Sequence, residues 1–353
     1  VQAGDTVYLW NGSSTFTSKG TVSATSKLRD VTWSLGGYSV ITDMMKLTVV
    51  KKWDGTTFST LTTGLGGTAL YAKYGIVHLG RVWLFNVKAG TDTPHLMVAS
   101  AFENPESYNI SLRAQDGSFT TGNEAFYMVT PDLLPINGVT VFMGILIVST
   151  ENGRIWKLNG SDSTDFTWVP FYSGSSAIGT ETMANIGNDV VYMRNGGVIE
   201  AMRSTQDFGD VKNDDLSRWI IGTISGLTGA ITVYDQEHQK VYFFAGTNKL
   251  LVFFKHLAET ELSPWSVYRT DHTSSFDAVC AKDMRAPGAS TWYVFWTGSI
   301  GNVYRMEGEG TGDPSSTAIN TSRRTKYLYD KDVEELAFVS GRVEYKRIAD
   351  CDL

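Results

Sequence analysis

Short runs of apolar and β-branched residues, each broken by a Gly-, Asn- or Asp-bearing turn, follow one another along this chain, while apolar stretches at helical spacing are almost absent. The clearest copy opens with Val141-Phe142-Met143-Gly144-Ile145-Leu146-Ile147-Val148 and turns at Glu151-Asn152-Gly153. It continues as Arg154-Ile155-Trp156-Lys157-Leu158, turns at Asn159-Gly160 and closes in the aromatic segment 166–171. Similar units end near Trp53-Asp54-Gly55, run through 75–87 and 95–100 to Pro105-Glu106-Ser107-Tyr108, and recur at 189–202, 240–269 and 291–306.

With Trp53, Glu106, Lys157, Glu200, Phe253 and Arg305 as phase markers, the intervals are about 53, 51, 43, 53 and 52 residues, near the period of propeller repeats. About four short strands per repeat is the build of a β-propeller blade. The spacing therefore predicts an all-β chain folded as a six-bladed β-propeller over residues 1–312, with a small C-terminal β appendage. A β-sandwich would show similar alternation, and no Trp-Asp, kelch or repeated Asp-box consensus separates the two. The strand Thr6–Trp10 is expected to close the ring. Helical turns are expected only around 213–219 and 332–336.

After Met306 the Gly-rich acidic stretch 307–314 reads as a link. Beyond it, 313–353 reads as a small β module with strands at 327–329, 335–340 and 342–347, too short to bury a core of its own.

Asp and Glu outnumber Lys and Arg by 37 to 30, and no long basic run exists, which excludes tight grip on nucleic-acid phosphates. The short cluster Arg323-Arg324-Thr325-Lys326 suits a solvated edge that discourages sheet pairing. Cys280 and Cys351 offer no zinc spacing and no disulfide framework, which favours assembly in a reducing cytoplasm. Cys280 lies in the apolar run 276–281 and is expected to be buried. No apolar run reaches membrane-spanning length, so no membrane insertion is expected, and Val1–Asp5 lack a signal-peptide pattern.

Candidate chemistry is sparse. His78, His95, His238, His256 and His272 stand singly, so no metal site is expected; His78, after Ile76-Val77, reads as a core or edge histidine. Asp92, Asp116, Asp132, Asp162, Asp189 and Asp235 fall at predicted turns, where aspartate caps the backbone, and this accounts for them without catalysis. The arginines Arg29, Arg81, Arg113, Arg154, Arg194, Arg203 and Arg218 share no blade position of the kind a sialidase cluster needs. No nucleophile elbow, phosphate loop or Cys/His pair is present, so neither an enzyme nor a cofactor is expected. Trp33, Trp53, Trp83, Trp156, Trp168, Trp265, Trp292 and Trp296 fall in or beside predicted strands, which favours packing between blades over sugar stacking.

The most individual segment runs from Met183 to Ile221: a strand Asn188-Asp189-Val190-Val191-Tyr192-Met193, a hairpin at Asn195-Gly196-Gly197-Val198-Ile199, then Phe208-Gly209-Asp210 and Asp215-Leu216-Ser217-Arg218-Trp219-Ile220. In form it resembles the propeller of tail hub or nozzle proteins of short-tailed bacteriophages, also called packaged-DNA stabilisation or head-completion proteins. Val148 to Trp156 looks like the preceding blade of that family, and Thr325-Lys326-Tyr327 onward looks like its exit strand into a second β domain. The resemblance covers about residues 130–350 and carries no catalytic signature; the chain is shorter than the family pattern. It implies a virion structural protein of the tail or neck, assembled in the host cytoplasm into a homo-oligomeric ring. Neighbouring tail or adaptor proteins would be its partners, and DNA would pass through the ring without sequence-specific binding. An acidic surface suits that passage, since it does not hold phosphates.

Two places fit poorly as blade elements and are the expected interfaces. One is the crossing with Asp210, Asp215, Arg218 and Trp219, where Trp beside Arg has the composition of an interface anchor. The other is the segment after Pro314 with Arg323, Arg324 and Lys326. The rival reading is a secreted carbohydrate-binding or glycoside-cleaving propeller, which would need exposed aromatics at equivalent positions or a convergent carboxylate pair.

Overall fold

The computed structural model describes residues 2–10, 16–33, 37–62, 68–151, 153–194, 196–204, 211–224, 227–245, 249–257, 264–269, 276, 278–285, 290, 292–298, 303–306 and 320–322. They form two compact units, one running to Thr232 and one from Val233 on.

The first unit is a succession of antiparallel sheets. β1 (Gln2–Ala3), β2 (Thr6–Trp10) and β3 (Phe16–Thr21) make a three-stranded sheet. β4 (Leu28–Trp33), β5 (Tyr38–Asp43), β6 (Lys51–Trp53) and β7 (Phe58–Thr60) form a four-stranded meander. The next sheet has β8 (Leu70–His78), β9 (Arg81–Ala89), β10 (Thr91–Ala101) and β11 (Asn104–Tyr108), with β12 (Phe126–Val129) returning beside β10. Then follow β13 (Ile136–Phe142), β14 (Ile145–Thr150), β15 (Arg154–Asn159) and β16 (Thr167–Ser173). Last come β17 (Met183–Asn185), β18 (Asp189–Met193), β19 (Ile199–Ser204) and β20 (Val211–Asp215), ahead of the short helix α1 (Ile221–Ile224).

In the second unit β21 (Ile231–Asp235), β22 (Lys240–Phe244), β23 (Lys249–Phe254) and β24 (Trp265–Arg269) form one sheet. β25 (Ala278–Met284), β26 (Tyr293–Gly298) and β27 (Val303–Arg305) form another. β28 (Asn320–Ser322) adds antiparallel to β24, with Tyr268 opposite Thr321.

The chain is all-β and its meanders are arranged as propeller blades; within the first unit the sheets of β9 and β14 are each buried on both faces by two different neighbours. Val82, Leu84 and Val87 of β9 join Val31, Val40 and Val50 in one cluster, whereas Trp83 and Phe85 join Val139, Leu146 and Val148 in the next. Ile147 of β14 points the other way, to Val190, Tyr192 and Met202. Double-sided burial is why β9 and β14 read as continuous apolar runs instead of alternating. Trp83, Phe126 and Phe166 meet edge-on or stacked, with centroids 5.3–5.6 Å apart, a geometry that adds to their area burial.

The expected six blades are not found: among the described residues five sheets have four or more strands and two have three. Five of the six phase markers, Trp53, Lys157, Glu200, Phe253 and Arg305, occupy third strands. Glu106 falls in β11, an outer strand, and among the described residues no fourth strand accompanies β27. A marker on a third strand counts turns and cannot report whether a fourth strand follows. Thr6–Trp10 is the central strand of a sheet with β1 and β3. Within 213–219 the chain stays extended to Asp215 before a 3-10 turn at Ser217–Trp219. Residues 332–336 and the strands expected beyond 327 lie outside the described residues.

Cys280 is exposed, against expectation. A bulge between Ala278 and Cys280 breaks the alternation that the apolar run suggested, on a strand at the edge of its sheet. Cys351 lies outside the described residues.

Residues 109–125, between β11 and β12, are held by a buried cation. Arg81, 1% exposed, donates from Nη1 to the carbonyls of Ser100 (2.6 Å) and Glu124 (2.7 Å) and from Nη2 to that of Gly122 (2.5 Å). Its guanidinium lies 5.4 Å from the centre of the Phe126 ring. Burial lowers its pKa to about 10, so it is still charged at neutral pH. The Glu124 carboxylate accepts the N–H groups of Thr120 and Thr121 at 2.9 Å and the Ser163 hydroxyl at 3.0 Å, which fastens this segment to the β15–β16 turn of the next sheet.

Candidate interface and buried polar groups

The described residues of the segment that carries the family resemblance form the sheet β17–β20 and the helical turns after it. Its hairpin requires glycine twice: Gly196 and Gly197 have φ of +87° and +81°, in the left-handed region. A Cβ on Gly197 would lie 2.3 Å from the Ile224 carbonyl oxygen, so the turn between β18 and β19 sits directly on α1.

Asp215 ends β20 opposite Glu200 and turns the chain. Its carboxylate accepts the Ser217 N–H at 2.8 Å and the Ser217 hydroxyl at 2.6 Å, while Leu216 N–H reaches the Ile199 carbonyl at 3.0 Å. Ser217 is fully buried beneath this cap and Arg218, next in sequence, is exposed. Asp215 and Arg218 are thus brought together at one turn. The side chain of Trp219, together with Asp210, Arg323, Arg324 and Lys326, lies outside the described residues. Asn320–Ser322, just before Arg323, pairs with β24 of its own chain.

Behind this turn is a buried polar group that the sequence did not reveal. Glu200 Oε2 accepts the hydroxyls of Ser175 (2.5 Å) and Tyr192 (2.9 Å), and these hydroxyls lie 3.0 Å apart. Arg194 Nε stands 2.9 Å from Glu200 Oε1, an ion pair whose N–H is not aligned on the oxygen. Burial, with the nearby Glu200 charge, raises the Tyr192 pKa far above its ordinary value. Ser175, Tyr192 and Glu200 are all buried, and the group ties β18, β19 and the link between β16 and β17 together.

Most of the aspartates expected at turns are engaged as well. Asp116, Asp132, Asp162 and Asp235 cap turns as expected, accepting the N–H groups of Ser118, Leu134, Thr164 and His238. Asp92 and Asp189 instead lie in strands, Asp92 paired with Lys46. Asp132 also takes the Thr150 hydroxyl (2.7 Å) and the Trp156 indole N–H (3.1 Å). Burial alone would raise its pKa, but these donors together hold it below the carboxylate range. Asp43, 1% exposed, accepts the Ser26 hydroxyl and the N–H groups of Lys27, Met45, Leu47 and Thr48.

Among the described residues no group of three His, Cys, Asp or Glu could hold a metal ion, and no helix is long and apolar enough to cross a membrane. His78 is a buried residue whose pKa is lowered by burial, as its apolar flank suggested. Trp33, Trp83, Trp156, Trp265 and Trp296 are buried in packing; Trp53 and Trp168 are half-buried and Trp292 is exposed.

No family model matches the chain, and no curated protein matches it. Among solved structures, BBS1N in complex with ARL6DN is 12% identical over 86% of this chain and 84% of that one, with a TM-score of 0.49. The β-propeller domain of Cps50 (Swd1) from Myceliophteria thermophila is 10% identical over 82% and 85%, with a TM-score of 0.48. BamB from Moraxella catarrhalis is 11% identical over 78% and 80%, with a TM-score of 0.42. At this level the similarities carry no argument about activity, and the propeller assignment rests on the sheets themselves.

Proposed function

We propose that this chain is a structural, non-enzymatic propeller of a short-tailed bacteriophage tail or neck, part of a hub or nozzle ring around the DNA channel. The reading is supported first by the segment from Met183 to Ile221. Its described strands, β17 to β20, share one sheet, and Arg218 is exposed beside the Asp215–Ser217 cap. The acidic balance of 37 to 30 suits a neighbour of moving DNA. The carboxylates described above are occupied by turns and hydroxyls, which leaves a glycoside-cleaving pair without candidates among them.

Electron microscopy of the purified protein tests the ring, and infection-derived particles test its place in the virion. Arg218→Glu, and separately a truncation after Ser322 that spares β28, should impair ring or particle assembly while the thermal unfolding midpoint stays within a few degrees of the parent. Normal assembly of both variants sinks the interface assignment. Release of reducing sugar from a polysaccharide, lost on changing one carboxylate, would favour the carbohydrate reading instead.

A further inference from the structure

The turn after β5 is built inside out. The buried carboxylate of Asp43 gathers the N–H groups of Met45, Leu47 and Thr48, and Lys46 N–H reaches the Asp43 carbonyl at 2.9 Å. Met45 and Leu47, 49% and 50% exposed, are left outside, while the Lys46 side chain between them folds inward to 14% exposure. Lysine ordinarily keeps its ammonium in water, so an inward lysine flanked by outward apolar residues needs a reason. Lys46 also has φ of +51°, in the left-handed region that few residues other than glycine, asparagine and aspartate enter.

Its partner is Asn86, 5% exposed, which lies inside β9 with φ of +55°, where the register with β10 shifts between Thr93 and Met97. The Asn86 amide is held from both sides: Nδ2 donates to the Ile136 carbonyl at 2.9 Å, and Oδ1 accepts from Lys46 Nζ at 2.7 Å. These two bonds fix which atom of the amide faces the lysine. A carbonyl bond is about 1.2 Å long, so Nζ stands no more than about 4 Å from the amide carbon Cγ, the electrophilic centre. Nζ also donates to Asp92 Oδ1, whose side chain is 55% exposed. Amine, carboxamide and carboxylate thus meet at one point.

We propose that Lys46 and Asn86 become joined by an amide bond from Nζ to Cγ, formed by the folded chain itself with release of ammonia and with Asp92 as the proton carrier. The Asp92 carboxylate takes a proton from the Lys46 ammonium, the freed lone pair on Nζ adds to Cγ, and the Cγ–Nδ2 bond breaks as that proton passes to Nδ2. Nζ gives up a second proton on becoming an amide nitrogen, and the departing ammonia takes it, so charge is conserved and Asp92 returns to carboxylate. No oxidant, metal or co-reactant enters. A free amine attacks a carboxamide very slowly; here both are held in contact within one chain, which supplies the effective concentration and orientation that free groups lack. Two touching residues in left-handed backbone agree with a geometry held for chemistry. The product is a covalent tie between the β4–β7 sheet and the β8–β12 sheet. This does not rest on the phage reading.

Intact mass of the purified full chain tests it. The mass should lie one ammonia below that of the sequence, and a tryptic digest should hold residues 46 and 86 in one branched peptide, with no cleavage after Lys46. Lys46→Arg keeps a cation beside Asp92 and should restore the sequence mass. Asp92→Asn should slow linkage by about 100-fold, leaving freshly purified chain at the sequence mass. Near-UV circular dichroism like that of the parent shows that both variants are folded.

A parent chain that stays at the sequence mass after prolonged incubation in the folded state overturns the proposal, whatever the variants do. So does ammonia loss that persists in Lys46→Arg, or that maps to a succinimide at an Asn-Gly pair such as Asn159-Gly160, which alkali hydrolyses and an amide between side chains resists. Linkage of Asp92→Asn at the parent's rate overturns the role given to Asp92.

Discussion

Replacing Arg81 by methionine keeps the apolar stem over Phe126 and removes every donor that holds residues 109–125 to their sheet. The carbonyls of Ser100 and Gly122 are then left without this partner in buried surroundings, and that of Glu124 in partly buried ones. An unsatisfied buried acceptor costs about 1–3 kcal/mol. Against this, the guanidinium no longer has to be desolvated, a penalty visible in the lowering of its pKa to about 10. Taking the two buried losses in full and subtracting part of that penalty gives a net destabilisation of about 3 kcal/mol. With a urea slope of about 3 kcal/mol/M for a unit of this size, the unfolding midpoint should fall by about 1 M. Equilibrium urea denaturation followed by tryptophan fluorescence reads it, since Trp83 lies in the affected cluster. Arg81→Lys should recover only part of the loss, because one ammonium cannot reach three carbonyls as a planar fork does. A midpoint shift under about 0.3 M for Arg81→Met would show that water or a rearranged segment satisfies these carbonyls, and would refute the reasoning.

Gly197→Ala places a Cβ 2.3 Å from the Ile224 oxygen at a φ of +81°, so either α1 or the hairpin must move. A loss of about 2–4 kcal/mol in thermal or urea stability is expected, against about 1 kcal/mol for Gly196→Ala, which meets only open space. Asp132 has a folded pKa below its unfolded value, so its contribution is complete above the unfolded value and is lost as pH falls through the folded one. Asp132→Asn should therefore lower stability at neutral pH and flatten the acid limb of the stability curve; an unchanged acid limb counts against these bonds.

Much of the strand pattern was legible because blade strands are short and their turns are chemically marked. Trp53, Lys157, Glu200, Phe253 and Arg305 recur in third strands although the turn before that strand varies in length. The blade count was not legible, since the outer position beside β10 is divided between β11 and β12 and β27 has no outer neighbour described. Turn aspartates such as Asp116 and Asp162 were readable from their Gly, Ser and Thr neighbours. Glu200 and Arg81 were not, because their partners are distant in sequence, hydroxyls in one case and backbone carbonyls in the other. Cys280 misled through a bulge, which shifts the phase of a strand without leaving a compositional mark. At the expected interface the turn at Asp215 was foreseen, whereas the pairing of Asn320–Ser322 with β24 was not, because a three-residue polar strand carries no apolar pattern.

Double-sided burial gives this molecule an unusual map of energetic neighbours. Ile147 and Val148 are joined by a peptide bond yet face different clusters, while Val148 shares its cluster with Trp83, Phe85 and Met97 from the preceding sheet. Truncations at 147 and 148 should thus be close to additive, and truncations at 148 and 83 should not. A substitution tolerated at one position therefore constrains residues more than fifty positions away more tightly than the residue beside it. For such a chain, covarying positions would trace the seams between sheets, alternating residue by residue between the seam before and the seam after.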